Sequence, residues 1–220
     1  MRKFGWLVCL LLIVTLTIGG AGARSRRKAG AAGPFDYYVL VLSYAPDFCD
    51  QPTGVKDPRE CGTGRLVGFV VHGLWPQNDT GRGPENCGPA SPVSQAIVQA
   101  MLRYIPTPSL IQHEWAAHGT CSGASAADYF AMVRRARDSV MLPANFAQPQ
   151  QRLQVTPGQL EAAVAAANPQ LPRGAIRTSC YRDGELEEVR ICLNKDLSAR
   201  ACTASVGECT DGSIAMLPVR

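Results

Sequence analysis

Apolar residues along this chain gather in a few dense runs separated by stretches rich in Gly, Pro and Asp, and the spacing within each run predicts its element. Residues 35–44, FDYYVLVLSY, are aromatic and β-branched and predict a buried strand. The region 45–64 is rich in Pro, Gly and Asp and reads as a loop containing Cys49 and Cys61. LVGFVVH at 66–72 predicts a second buried strand, which delivers His72 at or near its carboxyl end. Residues 77–92 are polar and full of Gly and Pro, a long loop. Within 92–104, Ile97, Met101 and Tyr104 recur at helical spacing. Residues 126–141 show a helical pattern whose basic face, Arg134, Arg135 and Arg137, reads as solvated. Thr156-Pro157-Gly158-Gln159 is a capping box with Pro at the first helical position, and its helix should stop at Asn168-Pro169. Asp183-Gly184 then turns between two strand-like runs, the second reading EEVRICL. Strands at both ends with helices between them predict an α+β domain rather than regular βαβ alternation.

The amino-terminal segment follows a different logic. Residues 1–23 begin with Arg2 and Lys3, continue as an apolar run and end in Ala21-Gly22-Ala23, the pattern of a secretory signal peptide with an A-x-A cleavage site. Residues 24–34 are basic and then small, with nothing to bury, and read as a flexible leader to a single domain at 35–220. Export changes two totals. Of nine cysteines, Cys9 leaves with the signal, and the even set that remains reads as four disulfides in an oxidising compartment, secreted or periplasmic. Spacing alone does not choose their partners. Loss of Arg2 and Lys3 leaves 20 basic against 18 acidic residues, a net of +2. That balance permits a polyanionic substrate but lacks the broad basic footprint of a protein that coats nucleic acid.

Histidine is concentrated. The chain has three, with His113 and His118 in LIQHEWAAHGTC and His72 in VVHGLWPQ. If 110–119 is helical, at about 100° per residue Glu114 and His118 share a face while His113 lies about 140° from His118. Ile111 and Trp115 then form the buried side, offering Glu114 and His118 at the edge of a cleft. The pair His113-Glu114 opens like a zinc-protease motif, but Ala117 stands where the second histidine is required. No G-x-S-x-G elbow is present, and no two cysteines are close enough for a zinc knuckle. What remains is a pair of imidazoles, one able to take a proton and the other to give one at mildly acidic pH. That is the requirement for RNA cleavage by internal transesterification, without a metal or cofactor. Trp75, three residues past His72, is a platform on which a base can stack.

VVHGLWPQ and HEWAAHGTC resemble the two active-site segments of the ribonuclease T2 family, secreted endoribonucleases of bacteria, plants and animals. FDYYVLVLSYAPDFC resembles the family's first strand and first cysteine, and EVRICLNKDLSARAC its carboxyl-terminal strand and cysteine pair. The resemblance implies a disulfide-stabilised α+β fold, a mainly antiparallel central sheet packed with helices. It implies that His118 is the general base and His72 the general acid. His113 would bind the scissile phosphate, Glu114 would hold or polarise it, and Trp75 would line the primary base site. The substrate would be single-stranded RNA and the product a 2′,3′-cyclic phosphate, in some members later opened to a 3′-phosphate. Separately, a monomer with no obligate protein partner and no membrane attachment after signal cleavage is expected. The implied disulfides pair Cys49 with Cys61, Cys87 with Cys121, Cys180 with Cys209 and Cys192 with Cys202.

The chain departs from the family pattern at Ala117, where members commonly carry a lysine thought to stabilise charge on the phosphorane-like transition state. Loss of such a donor is worth on the order of a hundredfold in rate, and Arg65 and Arg82 are the arginines considered as its replacement. The implied outcome is a slower enzyme. The alternative is a catalytically weakened member that binds RNA or a protein partner. Gln77 stands where some members have an acidic residue that helps select the base, and the sequon Asn78-Asp79-Thr80 is read as incidental.

Overall fold

A computed structural model describes residues 34–52, 57–62, 64, 66–210 and 212–219. The predicted signal peptide, the leader up to Gly33 and Arg65 lie outside the described residues. The strands are β1 (Tyr37–Tyr44), β2 (Phe69–Gln77), β3 (Leu153–Val155), β4 (Ile176–Cys180), β5 (Leu186–Leu193) and β6 (Ile214–Met216). The helices are α1 (Ala45–Asp50), α2 (Pro58–Cys61), α3 (Gln95–Met101), α4 (Pro108–Ala117), α5 (Ala126–Asp138), α6 (Ala144–Ala147) and α7 (Pro157–Ala167).

Four strands form one antiparallel sheet in the order β2-β1-β5-β4, and β3 pairs with β6 beside it. Alternate residues of β1 feed two clusters, which is why its sequence is apolar almost without interruption. Leu40 and Leu42 face the helices with Val71, Leu74, Ile111, Phe130, Val133, Leu160 and Val164. Tyr37, Val39 and Val41 face the other way, with Cys192, Val206 and the partly buried Trp75. The helices therefore cover one side of the sheet, and the histidine-bearing strand lies at its edge. The α+β architecture with a central antiparallel sheet stands as expected.

Two local expectations are corrected. Residues 45–64 contain α1 and α2 rather than only loop, because Pro46 and Pro58 occupy first-turn positions where no backbone donor is needed, and Asp57 caps α2 at Arg59 N, 2.8 Å away. The second strand begins at Phe69 and runs to Gln77, so His72 is inside β2 rather than at its carboxyl end. Pro76 is tolerated there because β2 is an edge strand. Between Val41 and Leu42 the pairing shifts, Val41 facing Gly73 and Leu42 facing Val71, which leaves His72 as the extra residue of a β-bulge.

The other elements follow their sequence signals. The capping box at Thr156 is formed with Gln159, and α7 ends at the cap residue Asn168. Arg182-Asp183-Gly184 lies in the connection from β4 to β5. All four disulfides implied by the family resemblance are present, Cys49–Cys61, Cys87–Cys121, Cys180–Cys209 and Cys192–Cys202. Each such bridge typically stabilises a fold by about 2 to 4 kcal/mol. Among the described residues no helix is long and apolar enough to cross a membrane.

Candidate active site

The site forms where the β2 bulge meets the end of α4. A bulge turns a side chain out of the regular alternation of its strand, and here it presents a half-buried imidazole. His72 Nδ1 is 2.8 Å from Glu188 Oε1 and 3.3 Å from Ser43 Oγ, and His72 Nε2 is 3.7 Å from Glu114 Oε1. Helix α4 starts at the cap Thr107, whose hydroxyl accepts Leu110 N–H at 3.1 Å, and carries Pro108 in its first turn. It ends at Ala117 with His118 as its cap, and the chain continues into a 3₁₀ turn over Gly119–Ser122. The His118 ring stacks on Trp75 at 5.0 Å and 26°, and Trp75 meets His72 edge-on at 5.1 Å.

Glu114 is wholly buried rather than presented at a cleft edge, which corrects the helical reading. The buried residues of α4 are Ile111, Glu114 and Ala117, three apart, while Trp115 is only partly buried, against Tyr129 at 6.0 Å. The carboxylate tolerates that position because Trp75 Nε1–H donates to Glu114 Oε2 at 3.0 Å. Gly73 makes the approach possible, since a Cβ there would lie 1.9 Å from Glu114 Oε2 and 2.5 Å from Trp75 Nε1. Glu114 Oε1 and His118 Nδ1 are buried with no hydrogen-bond partner among the described residues. Two unpaired polar atoms beside a half-exposed imidazole mark a place shaped for a polar ligand.

Burial and charge drive the two imidazoles in opposite directions. Burial, reinforced by the nearby His72 and His113, lowers His118 to about 4. Burial also disfavours charge on His72, but the Glu188 hydrogen bond and the negative fields of Glu114, Glu188 and Glu60 outweigh it, and the net shift is upward. Burial raises Glu114 to about 7 against the opposing pull of His72 and the Trp75 hydrogen bond. In mildly acidic solution the site therefore offers a neutral imidazole at His118, a cationic one at His72 and a largely protonated carboxyl at Glu114.

The structure thus brings His72, Trp75, Glu114 and His118 together. His113 is exposed on α4, near enough for its charge to act on His118. Ala117 is buried, and its carbonyl accepts Asn86 N–H at 2.7 Å next to the Cys87–Cys121 bridge. Arg82 is exposed, and its carbonyl accepts the Asn78 side chain at 2.8 Å. Sequence reasoning missed Ser43, Glu188 and Arg190. The available signal was the spacing of Glu188 and Arg190, two apart in a strand and so on one face, but nothing local says that this face meets β2's histidine. Among the described residues no group of three or more His, Cys, Asp or Glu side chains is placed to hold a metal ion.

The model of the ribonuclease T2 family matches residues 35–202. A ribonuclease of Aeromonas hydrophila is 34% identical over 182 residues, covering 76% of this chain and 75% of its own length. A probable ribonuclease of Haemophilus influenzae is 33% identical over 184 residues, and the match spans 78% of this chain but 62% of that protein. The solved structure of trichomaglin, described as an S-like ribonuclease, superposes with a TM-score of 0.68 at 20% identity, over 85% of this chain and 100% of its own.

Proposed function

This chain belongs to the ribonuclease T2 family, and on that premise we propose that it is an endoribonuclease that cleaves single-stranded RNA by metal-independent transesterification. The observation that carries the mechanism is the gathering of two imidazoles on one indole, His118 stacked on it and His72 edge-on, with burial and charge driving them in opposite directions. Neutral His118 takes the proton of the ribose 2′-OH, the 2′ oxygen attacks phosphorus, and a 2′,3′-cyclic phosphate forms as the bond to the 5′ oxygen breaks. Cationic His72 gives its proton to that leaving oxygen from Nε2, the nitrogen not bound to Glu188. Glu114, protonated below about pH 7, donates a hydrogen bond to a phosphoryl oxygen instead of repelling it. His113 binds the scissile phosphate, and the partly buried Trp75, stacked on His118, lines the primary base site.

The same reading gives residues 35–220 as one catalytic domain behind a signal peptide at 1–23 and a basic leader at 24–34. Four disulfides fit folding in an oxidising compartment, secreted or periplasmic. Ala117 is the one observation that favours a second reading, an RNA-binding member with weakened catalysis.

Dinucleoside phosphates and their 2′-deoxy analogues separate the two. Cleavage of the ribose compounds alone, lost in His118→Ala and His72→Ala, is expected of the enzyme. Tight binding with no cleavage at any pH supports the binding module, and full activity in His118→Ala contradicts the assigned roles.

A further inference from the structure

His72 makes its shortest polar contact on the side opposite its reactive nitrogen. Glu188 lies in β5, across the central strand from His72, and is buried although charged. Its Oε1 is 2.8 Å from His72 Nδ1. Its Oε2 accepts from Arg190 Nε at 2.9 Å and Nη2 at 2.8 Å, and Arg190 Nη1 donates to the Val206 carbonyl at 3.0 Å. Both oxygens are therefore engaged, and the Arg190 fork is itself anchored to the backbone, so the carboxylate is held in one orientation.

We propose that Glu188, braced by Arg190, is a positioning residue for His72: it keeps the proton on Nδ1, so that Nε2 is the nitrogen presented to the leaving oxygen, and it holds the ring cationic through the mildly acidic range. This rests on the reading of His72 as the general acid. Other groups face or influence the same imidazole: Ser43 from β1, Trp75 from β2, Glu60 from α2, Glu114 from α4, and His118 beyond the end of α4. Burial drives both Glu60 and Glu114 toward their neutral forms. Glu188 is different, because Arg190 and His72 offset its burial and keep it ionised. It is thus the negative charge that persists beside His72 as the pH falls. The arrangement parallels the carboxylate that fixes the tautomer of a working histidine elsewhere in enzymology, here supplied from a strand 116 positions further along the chain.

The test compares two leaving groups. A dinucleoside phosphate expels an alkoxide that needs a proton, whereas an aryl ester of uridine 3′-phosphate expels a phenolate that does not. His72→Ala should lose activity on the first and largely spare the second; if it does not, the acid assignment fails and takes the premise with it. Given that pattern, Glu188→Gln, which retains an acceptor for Nδ1–H, should move the basic limb of kcat/KM on the dinucleoside down by about one pH unit. Glu188→Ala should lose about tenfold or more on the dinucleoside and much less on the aryl ester. An unshifted basic limb together with equal losses on both substrates would reduce Glu188 to half of a structural ion pair with Arg190. Imidazole ¹⁵N shifts of the unaltered protein provide a check independent of variant folding. A neutral His72 protonated on Nδ1 is expected, and one protonated on Nε2 overturns the proposal.

Discussion

The indole of Trp75 lies stacked on the imidazole of His118, ring centroids 5.0 Å apart and planes inclined by 26°. The same indole donates its N–H to Glu114 at 3.0 Å, so one side chain packs His118 and orients the buried Glu114 carboxyl. Trp75→Phe keeps the aromatic surface and removes the donor, leaving Glu114 buried without a hydrogen bond to either oxygen. A stability loss of about 1 to 3 kcal/mol is expected in urea denaturation, with kcat reduced more than that of a variant altered only at the base site. Unchanged stability would show that Glu114 finds another partner.

The pH dependence of cleavage should be bell-shaped. Its acidic limb falls where His118 titrates, about 4, and its basic limb lies above the ordinary histidine value of 6.5, where His72 loses its proton. Stability follows the same groups with opposite signs. His118 is lowered on folding, so its contribution is fully present above the unfolded value and is lost as pH falls through about 4. His72 is raised, so its contribution is fully present below the unfolded value and is lost as pH rises through the folded one. Denaturation midpoints across this range should show the acidic loss diminished in His118→Ala.

Ala117→Lys restores the cation that family members commonly place two residues after the tryptophan of HEW. Ala117 is buried at the end of α4, but a lysine stem can run along apolar surface with its ammonium in the cleft. The substitution is expected to raise kcat on RNA by about ten- to a hundredfold. No gain would mean that a missing cation does not limit the rate.

Asp47 ties α1 to the start of β5 and to the segment after β6. It is fully buried, and its two oxygens accept Leu186 N–H at 3.0 Å and Leu217 N–H at 2.8 Å. Asp47→Asn replaces one acceptor with an amide that opposes a backbone donor. A loss of about 1 to 3 kcal/mol is expected, measured by chemical denaturation. A neutral result would show that the carboxyl's protonated form, favoured by burial that raises it to about 7, already behaves like the amide.

The parts of this site that are legible in sequence are those carried by contiguous residues. HEWAAHG and VVHGLW announce His113, Glu114, His118, His72 and Trp75 because one helix turn and one strand bring each set together. The burial of Glu114 was hidden, because periodicity ranks Ile111 and Trp115 as the apolar side and has no means of seeing an indole N–H arriving from another strand. The extension of β2 through Trp75-Pro76 was hidden for a related reason, as proline reads as a terminator unless the strand is known to be at an edge. Glu188 was least legible of all. Its partner lies on a strand that it does not even adjoin, and only the order β2-β1-β5 makes them neighbours across Ser43.

The most direct measurement of the mechanism is the product of RNA digestion by the purified protein in excess chelator. Chains ending in 2′,3′-cyclic phosphate, formed at an undiminished rate and abolished in His118→Ala, are the expected result. Cleavage that the chelator stops, or products that bear a 5′-phosphate, would contradict transesterification by a pair of histidines.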